Sequence, residues 1–351
     1  MKISDEHHTP FLLKPAIAVL LLVLGAATAV NLSLYLRQVR SITGDGSSAP
    51  LYDRHYALVG DPRSPFLSSV YEAAHAYGLT HGSYVELTGA GLEASYSSVT
   101  LMDIARESKV DGIIVDADDS EEMRDAVNAA ASSGIPVVCI GTDSYGADRR
   151  SYVGISYYAL GQEYGKKIAE LKKDTVQMVM IMMSPGKRTS SQNMVYSGII
   201  DYIREAGLSS RFSFESYQVG DGSSFSTAEA VTDILGSYSL PSILVCLDET
   251  ITSAVCQGIV DANRVSEVTV FGFNLNDMIR NAIRKGVISE SVTVPAEAVA
   301  ENAVECLDTA VSGGFVTEYV SIGFLPVTKD NLDQYENDGS PAEQDREAEA
   351  Q

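Results

Sequence analysis

The chain has 351 residues, of which 45% are hydrophobic and 21% are charged, and its formal net charge is −22. A chain of this length is too long for one small domain and suits one large two-lobed unit or two modest domains. Binding of nucleic acid needs a clustered basic face to meet the phosphates. The acidic balance therefore predicts no nucleic-acid partner.

The N-terminal region contains a long apolar run. Residues 15–36 are 22 largely apolar residues bounded by Lys14 and Arg37, and a membrane-spanning helix needs about 20. The small-x-small pattern at residues 27–29 suits a cleaved signal peptide instead. We favour an uncleaved transmembrane anchor, because apolar side chains continue past the candidate cleavage site.

From His55 onward, short apolar strands alternate with amphipathic helices. Segments such as "VDGIIVDA" (110–117) and "IPVVCIG" (135–141) are continuous apolar runs, which are typical of parallel strands covered by helices on both faces. The pattern starts again with "TVQMVMIMM" (175–183), so two lobes of the same α/β kind are predicted. Ligands of such folds bind at the carboxyl ends of the strands.

Five acidic residues lie between Asp116 and Glu122, where a predicted strand passes into a predicted helix. We expect Asp118 or Asp119 as the N-cap and Glu121 and Glu122 in the first turn, because carboxylates accept free N–H groups and oppose the helix dipole. A metal ion would need ligands from several segments, and the sequence shows no partner cluster. We therefore predict neither a metal site nor a cofactor.

Motifs of enzymes are weak or incomplete in this chain. "GAGLEA" (89–94) has the glycine spacing of a dinucleotide-binding fingerprint but does not lie in the first βα turn, and "SPGKRTSS" (184–191) lacks the first glycine of a phosphate loop. All five histidines fall in the first 81 residues, and there is no GxSxG motif. The four cysteines lie in apolar runs and are expected as buried thiols, with a Cys246–Cys256 bridge left open. No enzyme is predicted.

Five segments follow one another in an informative order: "SPFLSSVYEAAHAYG", "KVDGIIVDADD", "GIPVVCIGTDS", "LVCLDETITSAVCQGI" and "VFGFNLNDMIRNAIRKGVISESVTVP". This order resembles the ribose-binding-protein and lac-repressor type of periplasmic binding domain over residues 55–331. The resemblance implies two Rossmann-like α/β lobes with parallel sheets, joined by a three-strand hinge. It also implies closure on a small solute, usually a sugar.

The resemblance and the composition together divide the chain. The C-terminal segment has seven acidic residues and one basic residue from Asp333 onward, so it is expected to be disordered. The predicted parts are an N-terminal flank (1–14), the anchor (15–36), a linker (37–54), lobe 1 (about 55–153 and 292–318), lobe 2 (about 154–291 and 319–331) and the acidic tail (332–351). The hinge is expected near Val153–Ser156, Ser291–Thr293 and Glu318–Ser321.

The sugar-binding residues of that family carry over only in part. Gly141 stands where the family usually has an acidic residue, Val195 where it has an arginine, and Leu247 where it has an asparagine. Because charged partners give stronger hydrogen bonds to buried hydroxyls, the usual hexose or pentose chemistry is not kept. The resemblance still predicts a ligand site in the cleft between the lobes, lined by Ser64, Phe66, Asp143, Tyr157, Asp248, Asn274 and Thr293.

Three of these residues also have a structural interpretation. Phe66 suits ordinary packing at the start of its helix, and Asp143 and Asp248 suit capping of the element that follows. Tyr157 replaces a short amide of the family and is expected to narrow the cleft. We expect Tyr157→Ala and Asn274→Ala each to weaken a ligand tenfold or more, about 1.4 kcal/mol.

The leading functional hypothesis is a bacterial solute-binding receptor for a sugar or sugar-like molecule. In this hypothesis the domain is extracytoplasmic, the N-terminal helix holds it in the cell membrane, and it serves an ABC-type permease or a sensor kinase. The alternative is a degenerate binding domain that acts as a protein-interaction or sensory module. An enzyme would rest on fold analogy alone.

Overall fold

The computed structural model describes Leu32 and residues 52–92, 96–171, 173, 175–185, 189–220, 223–237 and 239–335. The predicted flank (1–14) and, apart from Leu32, the predicted anchor (15–36) lie outside the described residues. Within the described part, no helix is both long enough and apolar enough to span a bilayer.

Strands and helices alternate along the described chain. In order they are β1 (Arg54–Val59), α1 (Pro65–Thr80), β2 (Ser83–Leu87), α2 (Ser98–Glu107), β3 (Gly112–Ala117), α3 (Glu121–Ser132), β4 (Val137–Gly141), β5 (Ser151–Gly154), α4 (Tyr157–Glu170), β6 (Gln177–Met183), α5 (Thr189–Glu205), β7 (Phe212–Gln218), α6 (Ser224–Gly236), β8 (Ile243–Cys246), α7 (Glu249–Asp261), β9 (Thr269–Phe273), α8 (Asp277–Arg284), β10 (Glu290–Thr293), α9 (Ala296–Val311), β11 (Tyr319–Ser321) and β12 (Leu325–Val327). Short 3-10 helices occur at Ser209–Arg211 and Leu332–Tyr335.

The strands form two separate six-stranded sheets. The sheet of lobe 1 has the order β11-β5-β4-β3-β1-β2, and the sheet of lobe 2 has the order β12-β10-β9-β8-β6-β7. Neighbouring strands are parallel except for the antiparallel pair of β10 and β12. The predicted fold of two α/β lobes with mostly parallel sheets is confirmed.

Both faces of each sheet are buried, which explains the continuous apolar runs. In β1, Tyr56 and Leu58 pack into the core on one face of the sheet, and Ala57 and Val59 pack into the core on the other. All four are fully buried. Because successive side chains of a strand point to opposite faces, a strand covered on both sides needs apolar residues at every position.

The chain passes between the sheets three times, and two of the passages lie later than predicted. The first is at residues 155–156, between β5 and α4. The second is at residues 294–295, because β10 pairs with β9 and β12 as far as Val292 and Thr293. The third is at residues 322–324, because β11 pairs with β5 in lobe 1. Residues 319–321 therefore belong to lobe 1, not to lobe 2 as expected.

The domain is slightly longer at both ends than the predicted residues 55–331. The backbone N–H of Asp53 donates to the carbonyl of Gly82 at 3.0 Å, and the ring of Tyr52 lies 5.4 Å from that of Tyr84. At the other end Leu332 is buried and Tyr335 packs against the core of lobe 2. Residues 52–54 and 332–335 are thus parts of the domain, and the predicted tail beyond 335 lies outside the described residues.

The segment that follows β3 caps helix α3, but the capping residue is neither of the two predicted. Ser120 is the N-cap of α3, and its hydroxyl accepts from the N–H of Met123 at 3.2 Å. The carboxylate of Asp118 accepts from the N–H of Ser120 at 3.0 Å and also holds its hydroxyl. Glu121 and Glu122 occupy the first turn as expected. The prediction of Asp118 or Asp119 as the N-cap was wrong, because Ser120 has the extended backbone that precedes the helix.

Candidate functional site

Two cavities are lined by residues of both lobes. The first, called the α1 cavity, has a volume of about 410 Å³ and lies between helix α1, the loops after β8 and β9, and the second passage. The second, called the tyrosine cavity, has a volume of about 470 Å³ and lies beside the first passage. Both volumes fall in the range of small-molecule sites, roughly 300–1,000 Å³.

The seven residues predicted to line one cleft are divided by the structure. Phe66, Asn274 and Thr293 line the α1 cavity. Asp143 and Tyr157 line the tyrosine cavity. Ser64 and Asp248 line neither of these two cavities, so the structure brings together three of the seven in one place and two in the other.

Ser64 and Asp248 are helix caps. The hydroxyl of Ser64 accepts from the N–H of Leu67 at 3.3 Å at the start of α1. One carboxylate oxygen of Asp248 accepts from the N–H groups of Thr250 at 2.8 Å and Ile251 at 3.2 Å at the start of α7. A capping side chain satisfies helix N–H groups that would otherwise lack a partner. The structural interpretation of Asp248 therefore describes its observed contacts, and Ser64 has the same capping role.

Asn274 holds a strained backbone position between the end of β9 and the edge of the α1 cavity. Its φ is 63°, in the left-handed region where asparagine is tolerated better than most residues. Its N–H donates to the carbonyl of Val292 at 2.7 Å, and its carbonyl accepts from the hydroxyl of Ser291 at 2.6 Å. The neighbouring strand β10 therefore fixes the backbone, and the side-chain amide faces Glu249 at 3.5 Å.

Glu249 is a half-buried carboxylate in the wall of the α1 cavity. One oxygen accepts from the amide of Asn276 at 2.9 Å, and the other only reaches the amide of Asn274 at 3.5 Å. Burial raises the pKa of Glu249, while hydrogen bonds from Asn276 and Asn274 lower it. The side chain therefore carries a desolvated charge with capacity for a further hydrogen-bond donor.

Asp143 and Arg149 form a two-pronged ion pair in the tyrosine cavity. The guanidinium donates to both carboxylate oxygens, one of them at 2.6 Å from Nη2, and the two side chains are only 14% and 17% exposed. The hydrogen bond that Arg149 donates to Asp143 is the largest cause that raises the pKa of Arg149. Arg149 also donates to the carbonyl of Glu318 at 3.2 Å. The carboxylate of Asp143 is thus already neutralised by a neighbour of its own lobe.

The hydroxyl of Tyr157, in lobe 2, contacts lobe 1. The hydroxyl donates to the carbonyl of Gly141 at 2.8 Å, and the hydroxyl of Tyr152 donates to the same carbonyl at 2.9 Å. Gly141 is the position at which the related domains usually have an acidic residue. The carbonyl of Gly141 at the end of β4 therefore already accepts from two tyrosine hydroxyls.

A pair of hydrogen bonds between Asp119 and Ser190 also joins the lobes directly. Asp119 follows β3 in lobe 1, and its carboxylate accepts from the N–H of Ser190 at 2.8 Å and from its hydroxyl at 2.6 Å. Ser190 lies in the first turn of α5 in lobe 2. The contact places an acidic side chain at the positive end of a helix dipole, so it stabilises the approach of the two lobes seen here.

Two further residues of the α1 cavity were not predicted from the sequence. Glu249 directly follows Asp248 and has the pattern of an acidic residue in a first helical turn, which is usually only a capping feature. Arg280 lies in α8, and its side chain is 12% exposed. The sequence feature that could have indicated Arg280 is its position one turn into the helix that follows the end of β9, where α/β folds place ligand contacts.

The described residues offer groups for binding rather than for catalysis. Among them, no three His, Cys, Asp or Glu side chains are placed to hold a metal ion. The four cysteines are free and buried, and burial raises the pKa of Cys139 to about 12, which makes a poor nucleophile. The α1 cavity combines an aromatic ring, a carboxylate, a guanidinium, an amide and a hydroxyl, which suit a polar solute.

Comparisons with known proteins agree with this description. Residues 58–314 match the family described as periplasmic binding protein domain. GanP, a glucose-galactose binding protein from Geobacillus stearothermophilus, is 21% identical with a TM-score of 0.71, over 80% of this chain and 98% of that one. An ABC transporter solute-binding protein from Burkholderia graminis in complex with D-arabinose is 17% identical with a TM-score of 0.72, over 81% and 98%.

A third similar structure is that of an assembly. The XylFII-LytSN complex contains a chain that is 22% identical with a TM-score of 0.66, over 79% of this chain and 98% of that one. At these identities the likeness concerns the fold. No curated protein matches this chain significantly.

Proposed function

Because the chain belongs to the family of periplasmic binding protein domains, whose members bind solutes and are not enzymes, we propose that it is a receptor for a small polyhydroxylated solute. The solute binds in the α1 cavity, between the lobes. The solved structures of this fold include proteins described as binding glucose and galactose, or D-arabinose, which supports a carbohydrate-like ligand.

The composition of the α1 cavity is the observation that carries this proposal. Phe66 supplies an aromatic face, and Glu249, Asn274, Arg280 and Thr293 supply donors and acceptors. Sugars present both an apolar face and a ring of hydroxyls, so they need both kinds of surface. This chain has Gly141 and Val195 where the family usually has charged residues, and Glu249 and Arg280 of lobe 2 supply charged groups to the cavity instead.

Calorimetry and thermal-shift measurements against a library of sugars and polyols test the receptor. We expect at least one solute to bind saturably and to raise the Tm, because a ligand that binds only the folded state stabilises it by mass action. A well-folded protein that no member of such a library stabilises would contradict the proposal.

Location and partner form a second part of the proposal. Residues 15–36 anchor the domain on the outer side of the cell membrane, where it serves an ABC importer or a membrane sensor. The apolar length of that segment supports the anchor, and the XylFII-LytSN complex is a precedent within the fold for assembly with another chain. Protease treatment of intact cells should digest the domain, and a domain that resists until lysis would contradict an outer location.

A protein-interaction module is the second candidate function, and the tyrosine cavity is the observation that favours it. Tyr145, Tyr158 and Tyr319 are 67%, 38% and 39% exposed around it, while its charged pair is internally satisfied. Exposed tyrosines are frequent in protein interfaces. Tyr145→Ala should then weaken binding to the partner's purified extracellular domain and leave solute affinity unchanged, whereas loss of solute affinity alone would reject this role.

A further inference from the structure

Some poorly exposed acidic groups of the domain form ion pairs with a lysine or an arginine, whereas the carboxylate of Glu249 is held by amide donors. Glu290 is 3% exposed and lies 3.0 Å from the ammonium of Lys167, and Asp143 is paired with Arg149. Among the described residues, no lysine or arginine nitrogen lies within 4.0 Å of the Glu249 carboxylate. A buried charge without a partner is costly, so such groups are usually paired or bind a ligand.

The guanidinium of Arg280 lines the same cavity and does not neutralise this carboxylate. Its Nη1 lies 3.4 Å from Asp277, one turn earlier in α8. Of the influences on the pKa of Glu249, burial is the largest and the charge of Arg280 is the smallest. Glu249 thus keeps an excess negative charge in the cavity wall.

The other charges at the cavity add to this excess. Glu72 on α1 and Glu297 on α9 line the cavity and are exposed at its rim. With Glu249, three carboxylates face one guanidinium, and the whole chain carries a net charge of −22. An anionic solute is therefore disfavoured on entry, whereas a cationic solute is attracted.

We propose that the α1 cavity selects a polyhydroxylated solute that carries a protonated amine, as an amino sugar does, with its ammonium on Glu249. The inference rests on the proposed receptor function and names the class of its ligand. The Glu249 oxygen that lies 3.5 Å from the amide of Asn274 receives the ammonium. Asn274 and Thr293 meet hydroxyls, and Phe66 covers the apolar face of the ring. The ammonium forms an ion pair that no described lysine or arginine forms with Glu249, and a charge-assisted hydrogen bond in a half-buried site is stronger than a neutral one.

Calorimetry with matched pairs of probes tests this inference: D-glucosamine and D-glucose, D-galactosamine and D-galactose, D-mannosamine and D-mannose. We expect at least one amino sugar to bind roughly tenfold or more tightly than its neutral parent at pH 7 and low salt. Glu249→Gln should bring that ratio close to one. Glu249→Asp, which keeps the charge, should retain part of it, and Glu229→Gln is the control because it removes an exposed charge of the same lobe outside the cavity.

The pH dependence gives a second readout. The preference for the amino sugar should fall as the pH falls through the raised pKa of Glu249, because protonation removes the negative charge. A neutral parent that binds as tightly as its amino sugar, or a preference that survives in Glu249→Gln, would overturn the inference and leave the receptor function standing. If none of the six probes binds but the wider sugar library contains a ligand, the amine is likewise rejected; if the library contains none, the receptor function fails as well.

Discussion

The two cavities of this domain differ in how their polar groups are used. In the tyrosine cavity, Asp143 is paired with Arg149, and the hydroxyl of Tyr157 donates to the carbonyl of Gly141. In the α1 cavity, Glu249 has only amide donors, one of them at 3.5 Å. The two cavities are similar in volume, about 470 and 410 Å³, so volume does not distinguish them. Unsatisfied hydrogen-bonding capacity is the reason for proposing the α1 cavity as the ligand site.

The largest expected effect is on stability, and it tests whether the ion pair of Asp143 and Arg149 in the tyrosine cavity stabilises the fold and does not bind the ligand. Arg149→Met leaves the poorly exposed carboxylate of Asp143 without its cation, which should lower the free energy of unfolding by about 1–3 kcal/mol. Solute affinity should stay within about twofold, since the charge pair lies outside the α1 cavity. Chemical denaturation and calorimetry measure the two quantities. Arg204→Met is the control, because its pair with Asp201 is 65% and 30% exposed and should contribute little. Lost affinity with unchanged stability would assign Arg149 to the ligand site.

One substitution in each cavity tests which of the two cavities binds the solute. Asn274→Gly should weaken the solute tenfold or more, about 1.4 kcal/mol, and glycine is preferred to alanine here because φ is 63°. Tyr157→Phe removes only the hydroxyl that donates to Gly141, so it should cost stability and leave affinity nearly unchanged. From the sequence alone, Tyr157→Ala and Asn274→Ala are each expected to weaken a ligand tenfold or more. Equal losses by calorimetry would mean that both cavities belong to one site.

The contact between Asp119 and Ser190 bears on whether the lobes approach without a ligand. Asp119→Ala removes both hydrogen bonds and should favour an open form, with a larger radius of gyration in solution scattering and an affinity about fivefold weaker, roughly 1 kcal/mol. Ser190→Ala removes only the hydroxyl and should have a smaller effect. Asp125→Ala, an exposed residue of the helix that follows, is the control. A radius and an affinity that do not change would show that this contact is incidental to closure.

The smallest expected effect is on the stability of the ligand-free protein. Burial raises the pKa of Glu249 above its usual 4.5, so the folded state holds this proton more tightly than the unfolded state. The associated stability is present below the unfolded pKa and is lost as the pH rises through the folded pKa. Glu249→Gln should therefore increase the free energy of unfolding at pH 7 by less than about 1 kcal/mol, which raises the Tm slightly. At pH 4 the substitution should leave the Tm unchanged. A lower Tm at pH 7 would show that the carboxylate stabilises the free protein.

The candidate site was predictable only in part. The ends of β9 and β10 were predicted to line the cleft, and Asn274 and Thr293 do line the α1 cavity, because strand ends of a parallel sheet meet at one edge. Glu249 and Arg280 were missed, since an acidic residue in a first turn and an arginine within a helix have ordinary local explanations. The assignment of Asp143 to the ligand depended on spacing, and spacing does not reveal that Arg149 neutralises it.

The alternation of strands and helices, the two similar halves and the parallel sheets were predictable from the chain alone, because they follow from local periodicity and from apolar runs that bury both faces. Local chemistry also predicted capping by Asp248 at the start of α7. Which distant side chains meet depends on the tertiary structure: Asp119 contacts Ser190 across 71 positions of chain, and Phe66, Glu249 and Thr293 meet at one cavity from three distant segments. Such contacts depend on how the two lobes come together, and no periodicity within either lobe encodes that geometry.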